Sequence, residues 1–362
     1  MTSSWTLLVN TGSRTCKVTL CDDAGAAQQQ WLLEGACLPA SPEPWLQNLQ
    51  VPVVRTVHRL VQGGDRVASA TRWSTALDSA LAPLDSLAPL HNPQARAWAR
   101  ACAGRWPTAG HCFIPDTGFF ASLPVPARTL PLPASLCDHY GLHRYGFHGL
   151  AHSSLWRRLA ELDGRAASGR VITLQLGGGC SATALQGGIP MDTSMGFSPL
   201  AGLIMASRPG DLDPGVLLYL LKQGMTLEAL EGALVHQSGL LGLSGLSGDM
   251  RDLLAAGTPA ANQAIDQFCY RIRQYIGSYA ATLGGLDGLV FGGGIGEHAA
   301  AIRAKVCSGL EFLGVALDGS VNAAATGTGC ISRSDSAVTT WVISGNEEAE
   351  MLRQAQQLFA GV

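Results

Sequence analysis

Asp192, Arg208, Asp211 and Asp213 fall within one short segment of a chain that is only 14% charged, against ~25% in ordinary proteins. The same stretch, Val171 to Pro214, opens with a β-branched run, turns at Gly177, Gly178 and Gly179, and continues through Cys180 to Leu185. Glycines at such a turn remove Cβ atoms, so main-chain N–H groups can close on phosphate oxygens. Three glycines alone fit an ordinary tight turn at least as well. A second unit of this kind runs from Trp5 to Asp22, with Asn10, Gly12, Ser13, Thr15 and Lys17 at or just beyond its turn. Arg59 ends a short apolar run before Gly63-Gly64, where a guanidinium suits a carboxylate or phosphate clamp; a surface salt bridge is the other reading. Asp116 follows a buried run, a position where an aspartate commonly caps or turns the chain, and His148, just ahead of a helix, reads unaided as a structural cap. Cys137, His139, His143, His148 and His152 lie close together, but their spacing matches no common zinc pattern.

These residues need elements to hold them. Two apolar, turn, apolar hairpins suggest an internal duplication with one hairpin opening each half. Residues 28–52 are rich in Pro, Trp and Gln and read as irregular or as a short edge segment. A helix is expected from Gln94 to Gly104, starting behind Pro93. The proline-rich stretch from Leu123 to Pro133 reads as extended. Leu150, Leu155, Leu159 and Leu162 mark one face of a helix that stops at Gly164. Ile265, Phe268, Ile272, Tyr275 and Ile276 form the core stripe of a long helix from Ala260 to Leu283. A buried strand then runs into a glycine turn, Gly292 to Gly296, at the end of a strand where α/β folds place ligands.

Composition narrows the function. With 362 residues and 47% hydrophobic content, the chain can bury two ordinary domains. A net charge of −3 gives no footprint for nucleic acid. No 18-residue apolar run and no leader pattern is present, and ten scattered cysteines read as free thiols in a reducing compartment. The expectation is a soluble, cytoplasmic protein with no membrane partner.

The segment MDTSMGFSPLAGLIMASRPGDLDP closely resembles the signature of the acetate and propionate kinases, members of the actin, Hsp70 and sugar kinase superfamily. VVRTVHRLVQGGDRV, LAPLHNP, RYGFHG, SGLLGLSGLSGDMRDL and LDGLVFGGGIGEH resemble further motifs of that family in the family's order. The resemblance implies an α/β fold of two related ribonuclease H-like domains with a nucleotide cleft between them, one formed by residues 1–120 and 349–362 and the other by 121–348. It implies reversible transfer of the γ-phosphoryl of ATP to acetate, with Mg²⁺, in a homodimer.

Residue by residue, the resemblance places Arg59, Asp116, His148 and Arg208 in catalytic positions, with Arg59, Val61, Leu90, Phe147 and Pro199 about the substrate and its methyl group. It assigns the nucleotide to Ser13, Thr15, Lys17, Gln175, Leu176, Gly177, Gly178, Gly179, Asp249, Met250, Arg251, Gly293, Gly294, Ile295, Gly296 and Glu297, and the metal to Asn10 and Glu347. Departures stand at Arg14, Gln62, Gln175, Gly178 and His298, where the family usually has Ser, His, His, Asn and Asn. Gln175 and Gly178 motivate a rival reading with another donor, such as pyrophosphate. Propionate or another short acid is a second rival, and a nucleotide-binding regulator without turnover is a third.

Overall fold

The computed structural model describes residues 4–12, 15–22, 24–34 and 42–361. The chain divides into two compact units, Met1–Ala121 with Asn346–Val362, and Ser122–Gly345. In the first, β1 (Trp5–Thr11), β2 (Thr15–Cys21) and β3 (Ala27–Glu34) form an antiparallel meander. After the short α1 (Glu43–Gln47), β4 (Val53–Leu60) lies parallel to β1; β6 (Gly110–Pro115) then lies parallel to β4, with β5 (Thr71–Arg72) antiparallel at its edge. The order is β3-β2-β1-β4-β6-β5. Central β1 is apolar and buried on both faces, as a covered strand must be.

Helices α2 (Thr75–Leu81) and α3 (Asn92–Arg105) follow β5. Pro93 sits inside the first turn of α3, where its missing N–H costs nothing, so the helix starts two residues before the expected Gln94. Of the stretch 28–52, the described residues 28–34 and 42–52 are more regular than its composition suggests. β3 is a full eight-residue edge strand, because an edge needs only one ladder. Trp31 and Trp45 stack edge-on at 5.3 Å, and Trp45 on Trp98 at 5.4 Å, which ties this segment to the core.

The second unit begins with α4 (Val125–Arg128), α5 (Ala134–Tyr140), α6 (Gly149–Leu162) and α7 (Gly164–Ala167). The stretch expected to be extended therefore contains a helical turn at α4, with a proline in the first positions where its fixed φ favours a helix. α6 ends at Leu162, and Gly164 begins the next turn instead of stopping the helix. Leu150, Leu155 and Leu159 are buried, but Leu162 is 38% exposed. β7 (Arg170–Leu176), β8 (Cys180–Gln186) and β9 (Ile189–Thr193) form a second antiparallel meander.

Five helices follow: α8 (Pro214–Lys222), α9 (Leu227–His236), α10 (Gly239–Ser244), α11 (Met250–Ala256) and α12 (Pro259–Leu283). In α12 the side chains of Ile265, Phe268, Ile272 and Ile276 are buried as expected. Tyr275 is only half-buried, with its hydroxyl turned to Asp211, and Tyr279 takes its place in the core. β10 (Gly288–Gly292) lies parallel to β7 and leads into α13 (Gly293–His298), so the expected glycine turn coils into a short helix. After α14 (Ala300–Cys307) and α15 (Gly319–Ala324), β11 (Gly329–Cys330) and β12 (Thr339–Val342) complete the order β11-β12-β10-β7-β8-β9. Each unit is thus a three-strand meander extended by two parallel strands and one short antiparallel edge. This repetition is what the paired hairpins in the sequence suggest.

α16 (Glu347–Ala360) returns to the first unit, capped by Asn346, and buries Met351, Leu352 and Ala355. A Cβ at Gly110 would meet the Phe359 ring at 2.6 Å, so glycine is what lets the helix end seat on β6. Among the described residues no helix is long and apolar enough to cross a membrane.

Candidate functional site

In the first unit the hairpin register sets Asn10 directly opposite Lys17. The start of α16 meets both. The Asn10 amide donates to Glu347 at 2.9 Å and to Glu348 at 3.2 Å, and Lys17 Nζ donates to Glu348 at 2.9 Å. Arg59 leaves the end of β4, where it pairs in register with Ile114 of β6, so its side chain reaches Asp116 just beyond that strand. Its Nη2 donates to Asp116 at 2.8 Å, and Nη1 donates to Asn10 Oδ1 at 3.1 Å and lies 3.6 Å from Glu347. Burial alone would depress the Arg59 guanidinium, but Asp116 and Glu347 outweigh it and hold the group firmly charged. One donor is left over: Arg59 Nε is buried with no hydrogen-bond partner among the described residues. An orphaned guanidinium N–H of this kind suits an incoming carboxylate or phosphate oxygen.

Thr15 accepts from the Gly12 N–H through its carbonyl at 2.7 Å, which closes the first hairpin turn. Ser13 lies outside the described residues. Val61 is buried beyond β4, whereas Leu90 is 53% exposed. Gln62 is buried, with Oε1 accepting from the Gly64 N–H at 2.9 Å.

In the second unit the glycine turn, Arg208 and His148 come together. A Cβ built on Gly179 would lie 3.0 Å from Arg208 Nη2 and 3.2 Å from His148 Nε2, so the cation and the imidazole edge flank bare backbone. At Gly178 no atom lies within 4 Å of the same position, so the turn opens there. Arg208 Nη1 donates to the Pro199 carbonyl at 2.9 Å, and no carboxylate among the described residues pairs with this arginine. Burial pulls its guanidinium down from the ordinary range, a cost that an anion would relieve. His148 is the only non-glycine with positive φ among the described residues, at 59°, which sets its ring against β8 at the entry to α6. Its Nδ1 lies 2.9 Å from Ser181 Oγ. Phe147 is buried just before it.

Gln175 and Leu176 end β7, with Leu176 buried. The Ala206 N–H donates to Gly178 O at 3.1 Å, and a Cβ at Gly248 would meet Ala206 O at 2.8 Å, so the run leading to α11 packs on the loop that carries Arg208. Asp249 caps α11 and is drawn to about 2 by its hydrogen bonds with Arg251; Met250 behind them is buried. Gly293 has φ +73°, and a Cβ there would strike Leu176 O at 2.5 Å, so glycine is required where α13, with Gly294, Ile295, Gly296 and Glu297, leaves β10 beside the turn. Arg303 is fully buried and donates from Nη1 to the carbonyls of Gly296 at 2.9 Å and Glu297 at 2.8 Å.

Three residues in these networks escape the sequence reading: Glu348, Ser181 and Arg303. Glu348 adjoins Glu347 in the run NEEAE, and the pairing of hairpin polar residues with that acidic pair was its available signal. Of the histidine group, His152 is buried between Thr173 and Ser181, and His143 stacks on Tyr145 at 3.9 Å.

The chain matches the acetokinase family over residues 43–353. It is 44% identical over 306 residues to the acetate kinase of Rhodopseudomonas palustris, covering 84% of this chain and 77% of that one. It is 41% identical over 307 residues to the acetate kinase of Thermosynechococcus vestitus, covering 84% and 74%. Among solved structures it is similar to the Porphyromonas gingivalis acetate kinase at 30% identity and a TM-score of 0.87, covering 98% of this chain and 100% of that one. A propionate kinase from Francisella tularensis aligns at 29% identity and a TM-score of 0.88, covering 97% and 98%.

Proposed function

The chain belongs to the acetokinase family, and from that premise we propose that it moves the γ-phosphoryl group of ATP reversibly to acetate, giving acetyl phosphate and ADP. Acetate is ionised at neutral pH and is its own nucleophile, so no general base is required. The barrier is electrostatic: one anion must approach another while charge spreads over the equatorial oxygens of the transferring group. The observation that carries the reading is Arg208, a buried guanidinium with no carboxylate among the described residues, beside His148 and a glycine turn open at Gly178. Removing one donor aimed at developing charge costs roughly 3 kcal/mol.

Arg59, with its buried Nε unpartnered, binds the acetate carboxylate. Asp116, whose oxygen accepts from Arg59 Nη2, orients that guanidinium and removes no proton. Val61 limits the depth of the acyl pocket and favours acetate over propionate, although one methylene is worth only ~1–3 kcal/mol. Asn10 and Glu347 supply hard oxygen donors in one hydrogen-bonded group, with Glu348 alongside. That set fits Mg²⁺, which is held by one or two carboxylates together with substrate phosphates, and a bound Mg²⁺ would neutralise phosphate charge. α8 buries no side chain within its own unit and exposes Val216, Leu218 and Tyr219 at 45%, 59% and 61%. A second copy of the chain covers this face in a homodimer. The setting is the cytoplasm, where the free thiols stay reduced.

Purified protein with Mg²⁺ should form hydroxamate-trapped acyl phosphate from ATP and acetate in preference to pyrophosphate, propionate or butyrate. Arg208→Ala should lose at least about 100-fold. Silence with every donor and acid, in protein shown to be folded, would refute the proposal.

A further inference from the structure

Thr173 of β7, His152 of α6 and Ser181 of β8 form a buried chain of hydrogen bonds that ends on His148. Thr173 Oγ1 lies 2.7 Å from His152 Nδ1, His152 Nε2 lies 2.7 Å from Ser181 Oγ, and Ser181 Oγ lies 2.9 Å from His148 Nδ1. Thr173, His152 and Ser181 are all 0% exposed, so no solvent completes their bonding.

The inventory of protons gives this chain a direction. Among the described residues the only hydrogen-bond partner of the Thr173 hydroxyl is His152 Nδ1. A buried hydroxyl proton needs an acceptor, so Thr173 donates and His152 Nδ1 accepts. A neutral imidazole carries one N–H, which for His152 is then Nε2–H, donating to Ser181 Oγ. Ser181 has one proton, and its remaining partner is His148 Nδ1, so it donates there. Neutral His148 is left protonated at Nε2, the atom that faces Gly179 and Arg208.

We propose that Thr173, His152 and Ser181 are positioning residues that fix His148 as the Nε2–H tautomer, so that it donates to a phosphoryl oxygen without first becoming an imidazolium. The consequence rests on the phosphoryl-transfer reading above; the tautomer itself does not. Neutrality matters because Arg208 already places a cation at this corner, and a second positive charge beside it would be repelled. Among the groups that face His148 are Arg208 from the loop beyond β9, His152 one turn along its own helix and Ser181 from β8. Cys180, next to Ser181, turns its thiol to Gly177 O.

The test uses the full-length protein. ¹⁵N–¹H correlation spectra of its imidazoles at pH 8.5 should show His148, assigned by its loss in His148→Gln, protonated at Nε2. Thr173→Val should release the preference, and Thr173→Ser should restore it. In the hydroxamate assay Thr173→Val should lose on the order of tenfold in kcat at pH 8.5, a fraction of what deletion of a transition-state donor costs, with the acetate KM unchanged. A wild-type His148 protonated at Nδ1 would overturn the proposal, as would a Thr173→Val variant whose His148 keeps the Nε2–H preference. Protein without turnover that still shows the Nε2–H signal would leave this inference standing and reject the phosphoryl-transfer reading.

Discussion

Gly179→Ala separates the geometry of the second-unit site from its stability. The added Cβ would lie 3.0 Å from Arg208 Nη2 and 3.2 Å from His148 Cε1 and Nε2, whereas unstrained heavy-atom contacts sit near ~3.5–4.0 Å. About 0.5 Å of movement is needed to restore contact distance. His148 is held by Ser181 and by the entry to α6, so most of the movement falls on the end of Arg208, at the expense of its bond to the Pro199 carbonyl. Displacing a positioned group by ~1 Å can cost about 100-fold, so kcat should fall between about 10- and 100-fold. Stability should not follow. Gly179 is not among the residues with positive φ, so alanine brings no backbone strain there and reduces the entropy of the unfolded chain by up to ~1 kcal/mol. The measurements are kcat by hydroxamate trapping and Tm by calorimetry on the same preparation. A kcat within twofold of wild type, or a loss accompanied by a fall of several degrees in Tm, would refute the reasoning. Gly293→Ala marks the contrast, since its φ of +73° and the 2.5 Å approach to Leu176 O should make that variant lose stability first.

Gly178→Asn restores the residue usual in the family at a position with no atom within 4 Å of the added Cβ; the ATP KM should fall several-fold with Tm unchanged, as read by initial rates. Acid should weaken the first unit through His58, which burial and the neighbouring His111 depress to about 3. The unfolded chain takes up that proton near pH 6.5, so stability is complete above this value and falls by ~1.4 kcal/mol per pH unit on the way down toward 3. Urea melts at pH 7.5, 5.5 and 4.5 should show the decline, and His58→Leu should flatten it by that slope. If α8 is a dimer face, Leu218→Asp should convert the sedimenting species from dimer to monomer without changing the far-ultraviolet circular dichroism.

The elements that a short window can specify were legible: both hairpins, the α12 stripe at Ile265, Phe268, Ile272 and Ile276, and the strand that runs into Gly293. Their signals are turn glycines and periodic burial, which lie along the chain. Tyr275 and Leu162 were misplaced because periodicity gives a face but not its edge, and the packing partner decides how wide that face is. The one-turn helix at Val125–Arg128 was hidden because prolines favour the first turn of a helix as readily as an extended segment. The site was legible as a set of positions and not as a set of bonds. His148 and His152 stand four apart in a histidine cluster whose spacing matches no zinc pattern, and the partner they share is a serine that lies 29 residues beyond His152. No local pattern marks Ser181, because its role comes from β8 lying under α6.

The duplicated sheets divide the chemistry unequally. In the first unit, three carboxylates, Asp116, Glu347 and Glu348, share a network with two cations, Arg59 and Lys17, so the group carries an excess of negative charge. In the second, Arg208 is a buried cation with no carboxylate among the described residues. The same meander and the same parallel strands therefore present opposite needs. The first calls for a cation and holds oxygen donors suited to Mg²⁺; the second calls for an anion and offers a guanidinium beside bare backbone. A divalent cation would answer the charge of the first group and a phosphate oxygen that of the second, whereas a neutral ligand would relieve neither. These opposite needs, each read within its own unit, match the metal and the phosphoryl group that the proposed reaction brings together.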